Sequence, residues 1–99
     1  MGFIPKLVQI QILQYLYDNK KDLILKSVSI GDLVTAFETD EGLITFNYNV
    51  VRAGIYELVD VGLIADGVKV GNTYTYYITE NGKKYLSLAT GTANRKGSK

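Results

Sequence analysis

The 99-residue sequence contains no cysteine and no histidine. With them go disulfides, thiolate nucleophiles, imidazole acid-base catalysis and the usual zinc ligands. Carboxylates, hydroxyls and lysines remain, but their spacing suggests neither a nucleophile with its base nor a clustered metal site. The chain therefore reads as a non-enzyme that needs no cofactor. It has no run near the roughly 18 consecutive apolar residues that span a bilayer. Its start, MGFIPKLVQIQ, lacks the basic region and cleavage site of a secretory signal. We expect a cytoplasmic protein.

A surplus of charge is missing as well: eleven basic residues face ten acidic ones, for a net +1. Three of the eleven, Arg95, Lys96 and Lys99, fall in the last five positions, leaving eight basic against ten acidic groups over residues 1–94, a net of −2. What is present is the balance of an ordinary globular domain, 46% apolar and 21% charged, long enough for one modest core. Residues 1–89 read as that domain and 90–99 as a flexible basic tail, which either reaches toward a polyanion or only solubilises the end. The absence of Cys and His with abundant Ile, Val and Tyr fits a thermophilic or archaeal source, or a virus of one.

Pro5 suits a first helical turn, and a helix is expected to about Asn19. Its apolar side chains cover most of the circumference, with Gln11, Gln14 and Asp18 as the polar stripe. That is more apolar surface than one small core needs. The excess marks Phe3, Ile4, Leu7, Val8 and Ile12 as a homodimer seam, to which the C-terminal helix is a second candidate contributor, the alternative being a core helix with some exposed apolar residues. Leu23-Ile24-Leu25 reads as a short strand. Ser29 and Asp32 are spaced for a reciprocal capping box, with Val28 and Leu33 as its staple, opening a second helix to about Glu38. A third helix runs from Thr45 or Asn47 to Asp60 on the stripe Val51, Ile55, Leu58 and Val59, and Gly62 stops it. A strand to Val70, a Gly71-Asn72 turn and a return strand over 74–79 form a hairpin, and Thr79 caps a last helix to about Leu88.

The order helix, short strand, helix, turn, helix, hairpin, helix turns the third helix outward. Through NVVRAGIYELVDVGLI followed by YTYYITENGKKYL, the chain resembles winged helix-turn-helix regulators of the broad MarR and PadR type over about half its length. Leu58, Gly62, Leu63 and Ile64 match those families' step from recognition helix into wing, and Ile78, Thr79 and Gly82 match their Leu-Thr-x-x-Gly. The resemblance implies an α+β winged helix-turn-helix fold: a three-helix core, a two- to three-stranded β-wing and a short C-terminal helix. It further implies a homodimeric transcriptional regulator that binds double-stranded DNA, with the third helix in the major groove.

On that helix, Asn47, Tyr48, Asn49, Arg52, Ala53 and Tyr56 are the candidate DNA contacts; on the hairpin, Lys69, Asn72 and Thr73; in the tail, Arg95 and Lys96. Each has a plainer alternative. Arg52 is equally placed to pair with Glu57 or Asp60, Tyr56 to brace the wing, and Tyr74, Tyr76 and Tyr77 to pack as core and rim. With one cation in the helix and a net-negative body, the expected DNA reader works by shape and polar contacts and not as a basic clamp. A winged helix used as a protein-interaction module is the alternative function, and a nucleic-acid enzyme a distant third. Without a sensor domain, regulation by abundance or by a partner is expected.

Overall fold

A computed structural model describes residues 3–90. The first helix, α1 (Leu7–Asp18), buries Val8, Gln9, Ile12, Leu13 and Leu16 on one side. The Gln9 side-chain oxygen accepts the Lys6 N–H at 2.7 Å, while its amide donates to the Glu57 carboxylate at 2.8 Å. A fully buried glutamine thus closes the helix start and ties it to the helix beneath. The far end is sealed by paired reverse bonds, Lys20 N–H to the Tyr17 carbonyl and Lys21 N–H to the Leu16 carbonyl, with Lys20 left-handed at φ 58°.

The apolar run that follows is not a strand. Ile24–Lys26 form a 3₁₀ turn, and the strand comes later, as β1 (Val28–Ser29). Leu23, Ile24 and Leu25 project outward, 58%, 53% and 88% exposed, because the turn pairs with no sheet neighbour through these residues. Ser29 ends β1 and also caps α2 (Ile30–Thr39): its Oγ accepts the Asp32 N–H at 3.0 Å and the Asp32 carboxylate accepts the Ser29 N–H at 3.1 Å. This is the capping box anticipated from the sequence, flanked by buried Val28 and Leu33.

The connection to α3 (Tyr48–Asp60) is pinned to α1 by Gln11. Its amide donates to the Ile44 carbonyl at 2.7 Å and its oxygen accepts the Ile44 N–H at 3.0 Å, as a neighbouring strand would. Asn47 caps α3 by accepting the Val50 N–H at 2.9 Å. Val51, Gly54, Ile55 and Leu58 face the core, and Gly54 allows α1 to approach until a side chain there would lie 3.3 Å from Gln9 Cγ.

Past α3, Gly62 takes φ +82° and the Leu63 N–H returns to the Leu58 carbonyl, delivering the chain into β2 (Ile64–Asp66). Its partner β3 (Thr75–Ile78) occupies the centre of a three-stranded antiparallel sheet ordered β1-β3-β2. The expected strand to Val70 stops at Asp66. From there the Val68 N–H turns to Ser27 Oγ, and the Thr75 hydroxyl contacts both Ser27 and the Val68 carbonyl. Pairing resumes at the tip, where Val70 and Thr73 exchange two 2.9 Å bonds around Gly71 at φ +61°. With only the first central residue left-handed, this is the glycine-first form of a two-residue hairpin turn. The last helix, α4 (Glu80–Thr90), packs on α1 and β3.

Candidate nucleic-acid interface

With Val51, Gly54, Ile55 and Leu58 turned inward, α3 must present its opposite face to solvent. Tyr48, Asn49, Arg52, Ala53 and Tyr56 all lie there and all are exposed, the two tyrosines by half. Asn47 is exposed at the head of the helix, its side-chain oxygen engaged in the cap. At the hairpin tip Lys69, Asn72 and Thr73 are exposed as well. The structure therefore sets out two neighbouring polar surfaces, one helical and one on the wing.

The cations on these surfaces sit on aromatic rings. The Arg52 guanidinium is 5.5 Å from the Tyr56 ring centroid and the Lys69 ammonium 4.7 Å from that of Tyr74. Neither expected partner of Arg52 is taken up: Glu57 is engaged by Gln9, and the ion pairs among the described residues are those of Lys83 with Asp22 and Glu80. Resting on rings, both cations keep their N–H groups available to an acceptor.

Between α3 and the wing lies a groove walled by tyrosines. Tyr56, one turn beyond Arg52, shares it with Tyr74 and Tyr76, so it faces the hairpin and belongs to the exposed helix face at once. Tyr76 is 4% exposed. Burial pushes its phenol above the usual tyrosine range, and the neighbouring Tyr56, Asp66, Tyr48 and Tyr74 push the same way. Tyr74 and Tyr76 read from the sequence as packing residues; alternation along the expected return strand 74–79 signalled their shared face, but nothing local signalled the helix opposite.

The apolar seam needs correction. Val8 and Ile12 are 5% and 0% exposed, inside the core with Val51 and Ile55, and no partner can reach them. An almost wholly apolar helical wheel does not reveal which stripe the core takes. Ile4 and Leu7 are exposed, 82% and 58%, while Phe3 is half-buried with its ring 5.9 Å from Tyr85. Arg95 and Lys96 lie outside the described residues, and α4 continues to Thr90, past the expected Leu88. Among the described residues no group of three or more His, Cys, Asp or Glu is placed to hold a metal, and no helix is long and apolar enough to cross a membrane.

No protein-family model matches the chain, and no curated protein matches it in sequence. Among solved structures it is similar to TubR from Bacillus megaterium pBM400, with a TM-score of 0.70 over 86% of each chain and 19% sequence identity. At that identity the likeness is one of fold, and with four α-helices and a three-stranded antiparallel sheet among the described residues it shows the chain to be an α+β winged-helix protein.

Proposed function

We propose that this protein is a homodimeric, sequence-specific binder of double-stranded DNA that acts as a transcriptional regulator in the cytoplasm, without chemistry or a cofactor of its own. The observation that carries this is the face of α3: Tyr48, Asn49, Arg52, Ala53 and Tyr56 form a solvent-facing surface on a helix beside a wing that offers Lys69, Asn72 and Thr73. Such a helix is of a size to enter the major groove while a hairpin follows the adjacent backbone. The resemblance of the third helix and hairpin to MarR and PadR regulators supports the same reading. Arg52 reads a base edge or phosphate, Asn49 and Tyr56 add polar contacts, and Arg95 and Lys96 add charge. Ile4, Leu7 and Phe3 remain as the seam between two copies, which doubles the few cations on one duplex.

Anisotropy of a labelled mixed-sequence duplex at low salt tests this. Wild type is expected to bind and Arg52→Ala to bind several-fold more weakly, as loss of a phosphate contact does on any sequence. Wild type that does not bind at low salt overturns the reading and leaves the protein-interaction role.

A further inference from the structure

Part of the tyrosine-walled groove forms a cavity of about 300 Å³ with a composition unlike that of a polyanion site. Tyr56, Val59 and Asp60 line it from α3, where spacings of three and four residues put them on one face. From the hairpin come Tyr74, just before β3, Tyr76 on β3, and Asp66, paired with Tyr76 across β2 and β3. Two independent features of this cavity point to a ligand.

The first is Tyr76 itself. It is 96% buried by its 4% exposure, yet among the described residues its hydroxyl has no hydrogen-bond partner and opens into the groove. Its ring is packed away while the hydroxyl tip reaches the groove, which leaves both an acceptor and a donor free for a bound group. The second is charge. Asp60 and Asp66 are exposed at the cavity, and neither has an ion pair or side-chain hydrogen bond among the described residues. Two unpaired carboxylates repel a phosphate.

The same groups attract a cation, and the rings beside them already hold two: Arg52 rests on Tyr56 and Lys69 on Tyr74, with neither cation lining the cavity. A hard divalent metal would use the two carboxylates and waters and leave the ring faces without a role. An organic ammonium uses all three components: ring faces for its alkyl stem, carboxylates for its charge and the Tyr76 oxygen for an N–H. We propose that this groove binds a small aliphatic amine of the polyamine type, its ammonium held by Asp60 and Asp66 and donating to the Tyr76 hydroxyl. Tyr56 also belongs to the α3 face, so the ligand sits at the edge of the surface assigned above to DNA. The site departs from the expectation of control by abundance or a partner alone, and it stands whether or not that surface binds DNA.

The test is a titration of the free, full-length protein with 1,4-diaminobutane, following the ring resonances of Tyr56, Tyr74 and Tyr76 by NMR. Saturable shifts of these rings are expected. Binding should weaken at least tenfold in Asp60→Asn/Asp66→Asn, whose side chains are exposed and carry no fold contacts, and severalfold in Tyr76→Phe, which keeps the ring. Tetramethylammonium, which has no N–H, should bind more weakly than the diamine, and n-butanol not at all. Absence of saturable shifts in wild type, undiminished binding in the double variant, or equal response to tetramethylammonium overturns the proposal.

Discussion

The Thr79 hydroxyl donates to the Gly62 carbonyl at 2.8 Å while accepting the Gly82 N–H at 3.0 Å. One side chain thereby joins the residue that ends α3 to the first turn of α4, across the sheet. The Thr79 N–H adds a 3.1 Å bond to the Leu63 carbonyl. Two motifs separated in sequence, Gly62-Leu63-Ile64 and Ile78-Thr79-x-x-Gly82, are thus halves of one joint that fixes the exit of α3 against the hairpin. Thr79→Ala should lower stability by about 1–2 kcal/mol, as loss of a helix cap does, while Thr79→Ser keeps most of it. Denaturant unfolding followed by circular dichroism measures both.

Gly82 completes the joint by being small. A side-chain carbon there would fall on the Leu63 carbonyl oxygen and lie 2.6 Å from Ile78 Cγ1. One obstacle is the backbone just before β2 and the other the base of a buried side chain on β3, so neither can swing away. Gly82→Ala, favourable for an isolated helix, should instead cost about 1–3 kcal/mol through overpacking, read as a lower unfolding midpoint.

The end of α1 offers the opposite case. Lys20 adopts φ 58°, where a Cβ is unfavourable and glycine is not. Lys20→Gly should stabilise the domain by about 1 kcal/mol, which for a domain of this size raises the melting temperature by roughly 4–8 °C. A lower melting temperature would show that the lysine side chain supplies more than the strain removes.

Lys83 bridges Asp22, at 3.0 Å, and Glu80, at 2.8 Å. Its hydrogen bond holds the Asp22 carboxyl below the usual range, while bonds from Glu80 and then Asp22 hold the Lys83 ammonium above its own. A carboxylate with a lowered folded pKa adds stability above its ordinary value of 3.8 and loses it as the pH falls through the folded value. Lys83, raised, contributes below its ordinary 10.5 and loses its share as the pH rises through its folded value. Asp22→Asn should therefore melt below wild type at neutral pH, with the gap closing in acid. The pair is partly exposed, so the gap is small and shrinks with salt.

Local chemistry was readable from the sequence where a single residue type answers a single backbone demand. Ser29 with Asp32, Gly62, Gly71 and Thr79 with Gly82 each occupy the predicted role. What escaped notice depends on a distant partner. Leu23-Ile24-Leu25 has the composition of a strand, yet the central strand β3 pairs with Val28 and Ser29 instead. The hairpin frays after Asp66 because Ser27, some forty residues earlier, takes the Val68 N–H. Gln9 and Gln11 look like polar positions on a helix wheel; only the tertiary structure gives one a buried bond to Glu57 and the other a clamp on Ile44. The α3 face was legible because its inward stripe implies the outward one, whereas the Tyr76 groove needs the helix and sheet together.

Salt dependence gauges how the DNA face works. If Arg52 and Lys69 of two protomers all neutralise phosphates, the slope of log affinity against log salt is about −4, at roughly −0.9 per contact. Replacing Arg95, Lys96 and Lys99 with alanine should flatten the measured slope to that value or below if the tail contributes, and leave it unchanged if the tail only solubilises.

The most direct measurement is the amide NMR spectrum of the labelled protein titrated with duplex DNA at low ionic strength. Shifts should concentrate in residues 48–56 of α3 and 69–73 of the hairpin, leaving the exposed apolar residues Leu23–Leu25 unmoved. An unchanged spectrum, or shifts confined to surfaces away from α3 and the hairpin, would contradict the assignment of this face to DNA.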